Sequence, residues 1–153
     1  MGDVVDRLAA AGIVIPGAPA ALGAYVPAVR VGSLVFTAGQ LPLADGELLA
    51  VGHVGADVTV ERGQECARMC AVNALAAAST VCDLDEVVRA VKLVAYVASA
   101  PGFIAQPLVV DHASEVLVVA YGERGRHARE AVGVAELPKG APVELSIVLE
   151  LGR

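Results

Sequence analysis

From Thr59 to about Val81 the chain runs without a proline, and the one glycine in that span, Gly63, falls in its opening turn. Thr59 offers a side-chain acceptor to the free amides of a helix start, and Glu61 places a negative charge where the helix dipole favours it. Alanine dominates the stretch and nothing breaks it, so the sequence predicts one long helix. Ala67, Cys70, Ala71, Ala74, Ala77 and Ala78 give this helix a face of small side chains. Such a face lets the backbone lie unusually close to its cover, and a sheet is the surface that fits. Asn73 within it is a core or interface polar group that needs a hydrogen-bond partner.

The strands to cover that helix are visible on both sides of it. Val143, Leu145, Ile147, Leu149 and Leu151 share one face of a strand, with Glu144, Ser146, Val148 and Glu150 on the other. Val87 to Val97 is nearly continuous aliphatic sequence interrupted by Arg89 and Lys92, which predicts a central strand covered on both faces. Ala28 to Val31 and Leu34 to Thr37, joined by Gly32-Ser33, read as a tight type II′ hairpin. Ala38-Gly39-Gln40-Leu41-Pro42 follows, with Gly39 allowing close backbone approach and Pro42 ending the pairing. Asp45-Gly46 marks a turn, and Glu47 to Val51 a further short strand.

The remaining segments complete one domain over residues 1–153. Val4 to Ala11 reads as a short helix ended by Gly12, and Pro16, Gly17 and Pro19 form a connector, so residues 1–24 are an N-terminal helix and linker. Pro101-Gly102 ends the aliphatic strand. Val110 to Tyr121 fits a helix, because Ala113, Val116, Leu117 and Ala120 keep a three-four spacing. The order is helix, hairpin, long helix, strand, helix, two strands. That order predicts an α+β fold, a mixed sheet with two main helices packed on one face.

Composition removes several functions. The net charge is −6 and no basic run occurs, so the chain lacks the clustered cations that nucleic acid requires. Three Tyr and two Phe with no Trp leave little stacking surface for single strands. A core this poor in aromatics must be built from small, closely packed side chains, an arrangement that often goes with further burial in an oligomer. Cys66 and Cys70 sit one helical turn apart and Cys82 stands alone; they read as buried apolar cysteines in a reducing, cytoplasmic setting. His53, His112 and His127 are scattered singly, without metal-ligand spacing. The N-terminus has no signal-peptide pattern, and no apolar run reaches the ~18 residues of a membrane span.

The chemistry concentrates between Gly125 and Glu144. Arg129 stands at the mouth of one predicted strand and Glu144 on the next, separated by the break at Leu137-Pro138. If those strands pair as neighbours, the two side chains come close. A guanidinium holds a carboxylate bidentately, and a nearby Glu can orient a water. Arg129 also reads as a solvated strand-edge arginine, Glu144 as a solvated carboxylate, and Tyr25 either as packing or as a phenol donor. Asp111-His112 with Ser114 has the residue types of a triad, but no nucleophile elbow accompanies them. No glycine-rich phosphate loop or HExxH motif occurs.

Taken in order, these elements resemble a known family. Tyr25-Val-Pro-Ala-Val, Gly32, Val35-Phe-Thr-Ala-Gly-Gln-Leu-Pro42, Asn73, Val91-Lys-Leu, Ala128-Arg129 and Leu137-Pro138-x-x-Ala-x-Val-Glu144 are similar to the Rid family. These are the YjgF-like enamine/imine deaminases, also labelled endoribonuclease L-PSP or translation initiation inhibitor. The resemblance spans Tyr25 to Glu150, and Gly-Glu-x-Gly-Arg-His-Ala-Arg marks a longer, divergent branch. It implies a chorismate-mutase-like α+β fold, a homotrimer with clefts between subunits, a small carboxylate metabolite as ligand, and no metal or organic cofactor. By resemblance Arg129 binds the substrate carboxylate, Glu144 holds the attacking water and Tyr25 lines the cleft. Gly39 and Ala131 contribute backbone. Ala38 stands where better-known members carry Ser, Ala131 where Cys is common, and Asp111 where an Asn is expected. A carboxylate at that last position repels an anionic substrate unless it is protonated or turned away.

Overall fold

A computed structural model describes residues 2–18, 20 and 23–153. Three helices and seven strands follow one another as α1 (Asp3–Ala10), β1 (Ala28–Val31), β2 (Leu34–Thr37), β3 (Leu43–Ala44), β4 (Glu47–Leu48), α2 (Val60–Ala78), β5 (Val87–Ala98), α3 (Gln106–Tyr121), β6 (Ala128–Val134) and β7 (Val143–Leu151). The α+β expectation holds. Of the predicted connector, Pro19 lies outside the described residues.

The long helix forms as its sequence dictates. Thr59 caps it by accepting from the Arg62 amide at 3.1 Å, and the small-residue face is buried throughout. Its regular part ends at Ala78, three residues short of the expected Val81, as Ser79 and Thr80 bond back to the carbonyls of Ala76 and Ala77. Those local bonds compete with helix continuation. Cys66 and Cys70 are buried as predicted, and burial pushes the Cys66 thiol up to about 11. Cys82 is only partly buried. No described helix is long and apolar enough to cross a membrane.

Five strands form one sheet in the order β1-β2-β7-β5-β6. The β1–β2 hairpin pairs Val31 with Leu34 across Gly32-Ser33, and only the first turn residue has positive φ, as a type II′ turn requires. β4 is shorter than expected, because the chain leaves the β3–β4 hairpin after Leu48. The alternation of β7 is fully realised, with Val143, Leu145, Ile147, Leu149 and Leu151 buried under α2. The third helix begins four residues before Val110, with Pro107 in its first turn, where a missing amide costs nothing.

Two expectations are corrected. β5 is an inner strand as expected, paired on both sides by β7 and β6, but it is covered on one face only. Leu93, Ala95 and Val97 lie under α3, whereas Val88 and Tyr96 are exposed on the far face. β5, α3 and β6 make a crossover unit, so β6 lies parallel to β5 along the sheet edge. β7 then pairs antiparallel on the other flank of β5. β6 and β7 are therefore not neighbours.

Candidate functional site

Leu93 is opposite Arg129 in the β5–β6 register and is buried on the helix side. Arg129 accordingly points toward α3. Its Nη1 donates to Asp111 Oδ1 at 2.8 Å and to Ser114 Oγ at 3.2 Å, and Nη2 donates weakly to the Pro107 carbonyl at 3.4 Å. Asp111 and Ser114 are three positions apart on α3 and so share a face. Both bonds to side chains leave from Nη1. Among the described residues nothing accepts from Nε and Nη2 has only its long contact to the Pro107 carbonyl, so no side chain occupies the Nε/Nη2 edge, the side that grips a carboxylate with two parallel bonds. Asp111 is thus turned onto the arginine, and its charge is met there.

His127 completes this cluster. Its Nδ1 lies 2.6 Å from the Gly125 carbonyl, which can only accept, so Nδ1 carries the proton. Nε2 is then an acceptor, 3.0 Å from Ser114 Oγ. Burial holds the imidazole below its usual pKa, and the Arg129 charge acts in the same direction while the Gly125 bond opposes both. Gly125 is required by position: a β-carbon there would stand 2.1 Å from the Leu117 carbonyl oxygen of α3. Without that approach the chain cannot enter β6 with His127 facing Ser114. An open cleft of about 740 Å³ is lined by Asp111, Ser114, His127 and Arg129, with Val118 and Val119 as its apolar wall.

Glu144 belongs to a different cleft. It stands opposite Tyr96 on the open face of the sheet, in a hollow of about 190 Å³ with Tyr25, Pro27, Gly39 and Lys139. Gly39 is the close approach predicted for it, since a β-carbon there would meet Glu144 Oε1 at 2.2 Å. Gln40 fixes the segment by exchanging backbone bonds with Leu145 at 2.7 and 3.1 Å. Asn73 reaches from α2 to the same segment, donating to the carbonyls of Leu41 and Leu43 at 2.9 and 3.0 Å. Glu144 is half-buried, and burial alone holds its carboxyl above the ordinary carboxylate range. It has the character of a base kept free.

The predicted meeting of Arg129 and Glu144 does not occur within one chain. β5 runs between their strands, Arg129 lies in line with Ile147 and Glu144 with Val132, and the two side chains leave opposite faces of the sheet. Two strands across and three residues along amount to roughly 10 Å in each direction. Arg129 and Asp111 line one cleft and Tyr25, Gly39 and Glu144 another, while Ala131 is partly buried, packs against the core and lines neither. The triad residue types also part company, because Ser114 bonds His127 and not His112. The sequence reading missed this pair. Its one sequence signal was Gly-Arg-His-Ala-Arg, which sets His127 and Arg129 two apart and hence on one face at a strand entry.

Known proteins share this architecture. A family model described as "YjgF/chorismate_mutase-like, putative endoribonuclease" matches residues 5–148. The chain is 42% identical over 152 residues to Protein TCP17 of Trypanosoma cruzi, covering 98% of this chain and 95% of that protein. A crystal structure described as a putative endoribonuclease from Shewanella oneidensis superposes with TM-score 0.93 at 34% identity, covering 98% of this chain and all of the other. TdcF of Escherichia coli, crystallised with bound serine, superposes with TM-score 0.63 at 26% identity, covering 88% of this chain and 94% of its own.

Proposed function

The chain belongs to the YjgF/chorismate-mutase-like family, and on that premise we propose that it is a hydrolytic deaminase of small 2-imino or enamine acids. In this reading it works as a homotrimer, with sites formed between subunits. The observation that carries the proposal is the division of the site. The Arg129 guanidinium and the half-buried Glu144 carboxylate sit in separate clefts on opposite faces of one sheet, so one chain alone does not bring them together. The open sheet face gives the copies a reason to associate. Val29, Phe36, Tyr96 and Val132 are exposed there, and covering such surface is favourable by about 25 cal/mol per Å².

The chemistry follows from the two halves. The substrate carboxylate docks on the open Nε/Nη2 edge of Arg129, as the bound serine of TdcF makes a small carboxylate a natural ligand for this fold. Asp111 bonds Arg129 through one oxygen only, and its second oxygen is the group that favours the protonated, more electrophilic iminium form of the substrate. Glu144 of the adjoining subunit takes a proton from water as its oxygen adds to the C=N carbon. Glu144 returns that proton to the carbinolamine nitrogen, the C–N bond breaks as the hydroxyl proton passes to Glu144, and ammonia leaves a 2-oxo acid. Such imines hydrolyse unaided, so positioning supplies most of what is needed.

The test is a coupled assay in which 2-iminopropionate is generated in situ and pyruvate and ammonia are followed. Wild type accelerates release over buffer, and Arg129→Ala does not. Equal rates for wild type, variant and buffer would remove the deaminase reading for this substrate. The second reading, a non-catalytic module that binds small carboxylates or a partner protein, draws on Asp111 already pairing Arg129 at 2.8 Å. It predicts saturable carboxylate binding with no acceleration.

A further inference from the structure

The Arg129 cleft contains a hydrogen-bond chain that the deamination chemistry does not use. We infer that Ser114 and His127 are positioning residues that hold the Arg129 guanidinium in its ligand-receiving orientation; the inference rests on Arg129 as the carboxylate anchor. Every bond in the chain has one possible direction. His127 Nδ1–H is committed to the Gly125 carbonyl, so Nε2 must accept, and the hydroxyl within reach is Ser114 at 3.0 Å. With its proton given to His127, Ser114 Oγ presents lone pairs to Arg129 Nη1 at 3.2 Å. A helical serine without such an acceptor turns its proton to a carbonyl of the preceding turn and is free to rotate. The hold on Nη1 matters because Asp111 is its competitor. Nη1 has two hydrogens, one for Asp111 and one for Ser114. While both are engaged, Asp111 bonds through one oxygen to Nη1 and no side chain sits on the Nε/Nη2 edge, where Nη2 keeps only its long contact to the Pro107 carbonyl. Remove the serine oxygen, and the guanidinium can rotate to pair both Asp111 oxygens, closing the edge that a substrate carboxylate needs. His127 therefore acts through Ser114, and Ser114 acts by keeping Asp111 to a single bond.

The test titrates the intact protein with pyruvate by calorimetry and measures KM and kcat in the imine assay. Ser114→Ala and His127→Phe each weaken pyruvate binding roughly three- to tenfold, the size expected for one buried hydrogen bond. They raise KM in proportion and change kcat less. The double variant is no weaker than either single one, because the two act in series. His127→Gln, whose carbonyl also accepts from Ser114, recovers most of the affinity. Asp111→Asn in the Ser114→Ala background recovers it as well. Wild-type affinity in the single variants while Arg129→Ala has lost binding, or additive losses in the double variant, would overturn the positioning role and leave the anchor standing. No difference between wild type and Arg129→Ala would overturn the anchor, and this inference with it.

Discussion

Gly39 lies so close to Glu144 that a β-carbon on the glycine would stand 2.2 Å from Oε1. The contact sets the carboxylate's direction, since the glycine backbone is the wall against which the Glu144 side chain rests. Gly39→Ala must push that side chain aside. The atom in the way is the far end of a flexible side chain, which can swing clear, so the cost in stability is small. The larger effect falls on catalysis, with kcat for imine hydrolysis falling at least about tenfold because a base moved by an ångström no longer meets its water. Chemical denaturation and the coupled assay, run side by side, separate the two effects.

Arg129→Lys keeps the charge and loses the fork. A lysine cannot present two parallel donors to a carboxylate. The charge-assisted bonds at issue are worth about 1.5–3 kcal/mol, so KM should rise roughly 10- to 150-fold. Steady-state kinetics on 2-iminopropionate check this, and an unchanged KM would place the carboxylate elsewhere.

Glu144 sets the acid limb of the pH profile. Burial raises its pKa, so the base form appears at higher pH than for an ordinary glutamate. kcat/KM should therefore rise with pH through a midpoint above the usual carboxylate range, and Glu144→Gln should abolish that limb. The same shift has a stability counterpart. The folded chain binds the Glu144 proton more tightly than the unfolded chain does, so this group's contribution to stability is present at low pH and is lost as pH rises through the folded pKa. His127 has the opposite sign: with its pKa depressed by burial, its contribution is present above the ordinary histidine value and is lost as pH falls from there through the folded pKa. Denaturation midpoints of the Glu144→Gln and His127→Gln variants against wild type, measured across acid pH, read both slopes.

Asn73 ties the long helix to the wall of the Glu144 cleft through its two bonds to the Leu41 and Leu43 carbonyls. Asn73→Ala leaves those acceptors unpaired, at about 1–3 kcal/mol. The loss should appear both in thermal unfolding and as a fall in kcat, because the released segment follows directly on Gly39 and Gln40. A stability loss with unchanged kcat would show that the segment does not depend on this tether.

The elements that local physics controls were legible in the sequence. Thr59 caps its helix as read, the β7 alternation assigns every residue to its face, and Gly32-Ser33 turns the hairpin as its glycine requires. Pairing across distance was not legible. Arg129 and Glu144 follow one another in sequence on consecutive strands, which suggested a hairpin. The crossover through α3 instead lays β6 beside β5 in parallel, and β7 must then pair on the other flank. The same topology hid the Ser114–His127 bond. It forms because α3 lies over β6, a contact between a helix and a strand that no local spacing encodes. β5 looked doubly covered because its aliphatic run resembles a buried strand, and within one chain it is half open.

The central claim is that one subunit's Arg129 works with another's Glu144, and complementation between two inactive variants tests it most directly. Arg129→Ala and Glu144→Gln are each purified alone, then co-expressed with different tags and purified through both. Where each of a trimer's three sites draws one group from each of two subunits, every mixed trimer that passes both tags has one intact site, and about a third of wild-type deaminase activity returns. A mixed preparation no more active than either variant alone would contradict the account.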